Sequence, residues 1–271
     1  MIERDENLYE KTFDDFEVEI VDLQSGPKLM AAMAAGDLDI AQGIGDAAFL
    51  VAATAGIEAR IIAVNSRSPK AFAVVAKNPE IRGVADLKGR KVAGLRGSVV
   101  HQVFLDALAD EGMTEADVEF FPMPLATAAS TLLAGRVDAA LLVGSEVLRA
   151  EAAGARVLAD GEGRVLGLSL TVASKKLVDE RPDVIARFLE MRAETLAFIA
   201  SDRGAAVKVA MARTGQDEGI VSRMMEMYDF ACEIGPDDLR SLEASQEYLL
   251  QSGIVAQRID ISGLVYRTGE R

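Results

Sequence analysis

The chain has 271 residues, half of them apolar and 27% charged, which is the composition of a soluble globular protein of one or two domains. A formal charge of −14 argues against nucleic acid as a partner, because phosphate contacts need clustered Lys and Arg. One cysteine and one histidine exclude an intrachain disulfide and any Cys- or His-rich metal site, and no apolar run approaches the ~18 residues of a membrane span.

Taken in order, the opening residues 1–13 read as the end of a helix, too acidic for a signal peptide. Phe16 to Val21 alternates towards a strand. Ser25 is a plausible N-cap with Pro27 in the first turn, and the helix closes at Gly36. Leu38–Ala41 reads as a short buried strand. The turn Gly43-Ile44-Gly45-Asp46 follows, with Asp46 placed to cap a helix from Ala47 to Ala55. Arg60–Val64 is a strand that leads into a polar loop from Asn65 to Lys70.

Phe72–Val75 reads as a crossover into a second lobe, and Val84–Lys88 as a single helical turn. The second lobe then offers strands Lys91–Leu95, Val118–Phe121, Val137–Leu142 and Arg156–Leu158. Helices from Val99 to about Gly112, Thr127–Ala134 and Val147–Ala153 alternate with them. Leu168–Ala173 is the return crossover, and the remainder is helical. Ile185, Phe188, Leu189, Leu196 and Ile199 describe one buried face, and Met211, Met224, Met225 and Met227 read as core filling. Alternating strands and helices imply two mostly parallel sheets.

Part of the chain is written twice. Sliding it by 99 residues places Ala35-Gly36 on Ala134-Gly135, Asp39 on Asp138, Ala41 on Ala140 and Gly45 on Gly144. The period is too long for a solenoid. It fits two similar doubly wound α/β lobes with a ligand cleft between them, residues 1–74 with 171–271 as the first and 75–170 as the second. The same shift sends Lys91–Leu95 to positions before Met1, so the first strand of the first lobe is expected to be missing from this chain.

The glycine turns are the candidate ligand sites, because the start of a helix aims backbone N–H groups and about half a positive charge at an anion. Gly43 to Ala48 also satisfies the dinucleotide fingerprint, but the next strand ends in Val64-Asn65 without the ribose-binding acid, which leaves a dinucleotide as a lesser alternative. In the second lobe Ser98 can cap a helix, with His101 beside it as a donor. Ser145 and Glu146 open the repeat of the first glycine turn. No nucleophile elbow, H-E-x-x-H or phosphate loop is present, so the chain reads as a binder without cofactor or metal rather than an enzyme.

The segments SGPKLMAAMAAGDLDIAQGIGDAAFLVAATAG and VADLKGRKVAGLRGSVVHQVFLDAL resemble substrate-binding proteins of ABC importers for aliphatic sulfonates, taurine and nitrate. The resemblance implies a type 2 periplasmic binding protein fold, within the superfamily that includes thiamine-pyrimidine synthases. It places Ser25, Gly45, Asp46 and Ala47 at the ligand from one lobe, and Ser98, Val99 and His101 from the other. It further implies a monomer, periplasmic or at the cell surface in its full-length form, that delivers its ligand to permease and ATPase subunits. The ligand would be a small organic anion or zwitterion, sulfonate- or taurine-like, with nitrate or a pyrimidine as alternatives. Desulfinases and pyrimidine synthases resemble the same proteins, so an enzyme on this fold is the second expectation; it would rely on Cys232, which is expected to be inert.

Overall fold

The computed structural model describes residues 2–23 and 25–267. The chain opens with α1 (Ile2–Asp5), α2 (Leu8–Thr12) and α3 (Gly26–Ala35), then β1 (Ile40–Gly45), α4 (Asp46–Thr54) and β2 (Ala59–Arg67). β3 (Phe72–Ala76), β4 (Lys91–Gly94), α5 (Val99–Asp110), β5 (Glu119–Pro122), α6 (Leu125–Leu133), β6 (Ala139–Val143), α7 (Ser145–Ala152) and β7 (Arg156–Asp160) follow. β8 (Leu168–Ser174) leads into α8 (Lys175–Glu180), α9 (Pro182–Ser201), α10 (Arg203–Thr214), α11 (Glu218–Met227) and α12 (Pro236–Gln251). These elements form two compact units. Unit 1 holds the described residues up to Arg67, Leu168–Val221 and those from Asp229 on; unit 2 holds Ser68–Gly167 and Ser222–Tyr228.

Unit 1 has a three-stranded sheet in the order β1-β8-β2, with β8 antiparallel to both neighbours. One face packs on α9 through Ile62, Ala173, Ile185, Phe188 and Met191, with Phe13 from the end of α2. α3 and α4 pack on β1 and on each other. A fully buried Phe or Met of this kind contributes about 1.5–3 kcal/mol. Two polar groups that the apolar spacing does not reveal, Arg192 and Thr195, also lie on the buried face of α9.

Unit 2 has a five-stranded sheet in the order β5-β4-β6-β3-β7. β4 runs parallel to β5 and β6, whereas β3 is antiparallel to β6 and β7. Alternation along the strands sorts the core. Val74, Val92 and Leu141 face Val100, Phe104 and Leu108 of α5. Ala73, Val75, Ala93 and Leu142 face Ala128 and Leu132 of α6 and Val147 of α7. Packing is tight at Gly94, where an added Cβ would stand 2.5 Å from Cγ of Leu141.

The expectation of mostly parallel sheets is corrected by these ladders. β8 and β3 are the segments read as crossovers, and each enters its sheet between two strands that run the other way. Phe16–Val21 is not a strand: among the described residues it pairs with none, and Phe16, Val18 and Val21 are exposed. Phe16 instead stacks edge-on against Phe13 and beneath the guanidinium of Arg181. The polar loop expected after Val64 is strand as far as Arg67, held by backbone bonds in both directions between Arg67 and Asp229. Met211, Met224, Met225 and Met227 are half-buried rather than core; among the described residues the buried methionines are Met30, Met33, Met113 and Met191.

The repeat is structural. α3, β1 and α4 reappear 99 residues later as α6, β6 and α7, and the strand orders β1-β8-β2 and β6-β3-β7 match. Both central strands are antiparallel to their neighbours.

Candidate functional site

In unit 1 the candidate residues surround two helix starts. Ser25 occupies the N-cap of α3 without a side-chain capping bond, and Pro27 fixes the first turn. A Cβ on Gly26 would come within 3.0 Å of the Ala48 Cβ, so the first turns of α3 and α4 lie side by side. The glycine turn is a bulge inside β1: Gly43 adopts φ +82, the register against β8 shifts between Gln42 and Ile44, and Gly45 stands opposite Ser169. Gly43 can hold this left-handed conformation because it lacks a Cβ.

Gly45, not Asp46, is the N-cap of α4. Asp46 is the first helical residue and is 2% exposed. Its Oδ1 accepts the N–H of Ala47 at 2.7 Å, and its Oδ2 accepts the hydroxyl of Ser245 on α12 at 2.7 Å. Burial pushes the carboxyl above its ordinary value, against these hydrogen bonds. Ala47 is half-buried.

In unit 2 Ser98 is the N-cap of α5. Its Oγ accepts the N–H of His101 at 3.3 Å and donates to the carbonyl of Leu95 at 2.7 Å. Ser98 and Val99 are half-buried beside Gly97, whose φ is +77. His101 is 4% exposed and turned inward. Its Nδ1 accepts the N–H of Gly97 at 3.3 Å, and its Nε2 lies 2.6 Å from Oε2 of Glu115. The other oxygen of Glu115 holds Arg96 at 2.5 Å, and the Arg96 guanidinium lies 5.0 Å above the Phe120 ring.

Ser145 and Glu146 begin α7 behind Gly144, which has φ 59 and ψ −125. The Glu146 carboxylate is taken up by Arg149 one turn later at 2.9 Å, which offsets its charge at this helix start. The end of α11 returns to the same place. The Tyr228 hydroxyl and the Met224 methyl lie 3.5 and 3.9 Å from where a Gly144 Cβ would stand, and Arg223 pairs with Glu151 of α7. Burial raises the Tyr228 hydroxyl above its ordinary value. No local sequence signal links these residues, which lie about 80 positions from Gly144. Nor does any local sequence signal link Arg96 with Glu115 and Phe120, which lie about 20 positions further on.

The arrangement offers helix-start amides and capping hydroxyls, which suit a tetrahedral or planar anion. Cys232 is half-buried, and its thiol is pushed up chiefly by burial, the opposite of what a nucleophile needs. Among the described residues there is no group of three or more His, Cys, Asp or Glu that could hold a metal ion.

Residues 12–206 match the family model described as NMT1/THI5 like. A protein of Escherichia coli (strain K12) named for binding aliphatic sulfonates is 27% identical over 237 residues, covering 83% of this chain and 71% of the relative. One of the same name from Bacillus subtilis (strain 168) is 26% identical over 99% of this chain and 82% of its own length. The crystal structure of the periplasmic aliphatic sulphonate binding protein SsuA from Escherichia coli superposes with a TM-score of 0.89 at 24% identity, covering 98% of this chain and 87% of that one. SsuA from Xanthomonas axonopodis pv. citri, bound to MOPS, gives 0.84 at 24% identity, covering 98% and 93%. The desulfurization enzyme DSZB shares the fold at a TM-score of 0.71 and 17% identity, covering 84% and 83%. The relatives in sequence are named as binding proteins, not enzymes. The chain belongs to the NMT1/THI5-like family and has the fold of the periplasmic sulfonate-binding proteins.

Proposed function

We propose that this chain is the solute-binding component of an ABC importer, working outside the cytoplasm and handing a small organic sulfonate to a membrane permease. The observation that carries the reading is the start of α5, where Ser98 caps the helix and Gly97 turns the chain so that the first amides are presented together. The names of the relatives in sequence support a sulfonate as the anion. In unit 1 the start of α4 offers the same chemistry. Asp46 acts there from behind the helix start and His101 behind that of α5, rather than by touching the ligand. Each helix start favours a negative group by about 0.3–1 kcal/mol when exposed, and up to ~2 kcal/mol when partly buried.

A thermal-shift screen of the full chain against butane-1-sulfonate, taurine, nitrate, a pyrimidine and a nicotinamide dinucleotide tests the reading. At 100 times its dissociation constant a true ligand adds about 2.7 kcal/mol. Stabilisation by the alkanesulfonate above the others is the expected result. Stabilisation by the dinucleotide alone would overturn it.

A further inference from the structure

We infer that His101 is a positioning residue that holds the Arg96-Gly97-Ser98 loop in its anion-ready shape and does not contact the ligand. The inference rests on the sulfonate-binding reading above and gives one residue a definite role within it. His101 sits in the first turn of α5, 4% exposed, with both ring nitrogens engaged. The nitrogen that accepts the Gly97 N–H is Nδ1, so in the neutral ring the proton lies on Nε2 and is donated to Glu115. Glu115 is shared, because its second oxygen holds Arg96. The Phe120 ring lies beneath both, 5.2 Å from the imidazole centroid and 5.0 Å from the guanidinium.

The loop is therefore tied at three successive residues. Arg96 is tied through Glu115, Gly97 through the imidazole, and Ser98 through the Leu95 carbonyl and the His101 amide. Gly97 at φ +77 is the residue that turns the chain, and its N–H is donated to the imidazole of His101. A loop already fixed in its bound shape loses little conformational freedom when the anion arrives, so the tether acts as affinity.

The chain has one histidine, so the ring nitrogens of ¹⁵N-labelled protein give a single assignable set of NMR signals. The neutral ring is expected to carry its proton on Nε2, and the Gly97 amide to exchange slowly with solvent, with or without ligand. A proton on Nδ1 would overturn the inference. Two variants then separate positioning from bulk packing. His101→Asn puts an amide oxygen near the place of Nδ1, where it can accept the Gly97 N–H. His101→Gln reaches the place of Nε2 and keeps only the Glu115 bond. Calorimetric titration with butane-1-sulfonate should show His101→Gln weakened about tenfold, with most of the affinity retained in His101→Asn. Equal loss in both variants, or none in either, contradicts the role. A parent protein that fails to bind the sulfonate overturns the transport reading instead, while the ring tautomer and Gly97 exchange still decide whether His101 holds the loop.

Discussion

Ser245 donates its hydroxyl to the buried carboxyl of Asp46 at 2.7 Å, joining α12 to the first turn of α4 across 199 residues of sequence. Burial holds the Asp46 carboxyl above its ordinary value of 3.8, so the folded state binds its proton more tightly than the unfolded chain does. The stability this contributes is complete below that ordinary value and is lost as pH rises through the raised one. Asp46→Asn cannot ionise; its amide oxygen can accept the Ala47 N–H while its NH2 donates to the Ser245 Oγ. It should melt higher than the parent at pH 7, with the difference closing towards about pH 4. A parent more stable than the variant at pH 7 would mean that the carboxylate is charged and compensated.

Arg67 makes a two-pronged ion pair with Asp238, Nε and Nη2 each 2.7 Å from a carboxylate oxygen, and adds the Asp229 carboxylate and the Glu233 carbonyl. Asp238 is 1% exposed. Arg67→Ala leaves that carboxylate buried without its cation and should lower unfolding stability by about 3 kcal/mol in urea titration. Arg67→Lys should recover only part of this, since an ammonium cannot match both oxygens. Full recovery by Lys would reduce the pair to simple charge.

Ser98→Ala removes both the acceptor for the His101 amide and the donor to Leu95. The variant should lose about 1 kcal/mol of stability, as for other lost caps, and bind a sulfonate more weakly by about 0.5–2 kcal/mol. Unchanged calorimetric affinity would remove Ser98 from the ligand's surroundings.

Cys232 supplies the check on the enzyme alternative. Its carbonyl accepts the Val64 N–H, and burial keeps its thiol protonated. Cys232→Ser should leave sulfonate affinity within about twofold of the parent, and the native thiol should react slowly with a disulfide reagent at pH 8. Fast labelling, or a turnover that the substitution abolishes, would favour the enzyme.

The parts of the fold legible in the sequence are those written twice. Ala35-Gly36, Asp39, Ala41 and Gly45 recur 99 residues on, and α3, β1 and α4 recur with them. Local signals, such as Pro27 in a first turn, Gly36 as a stop and Ser98 as a cap, correspond to real helix ends. The illegible parts depend on partners distant in sequence. Alternation in Phe16–Val21 is a property of one segment, whereas a strand needs a second. The direction of β8 depends on which neighbours it enters between. Asp46 and His101 each stand at a helix start, but Ser245 and Glu115 draw their side chains inward. Only the helix-start amides were visible as chemistry, because glycine and a capping residue announce them.

The most direct test of the central claim is a calorimetric titration of the full chain with butane-1-sulfonate, using butane-1-ol as the uncharged control. The account predicts saturable one-to-one binding of the sulfonate and none of the alcohol, because the anionic head meets helix-start amides. Equal binding of both, or of neither while a dinucleotide binds, would contradict it.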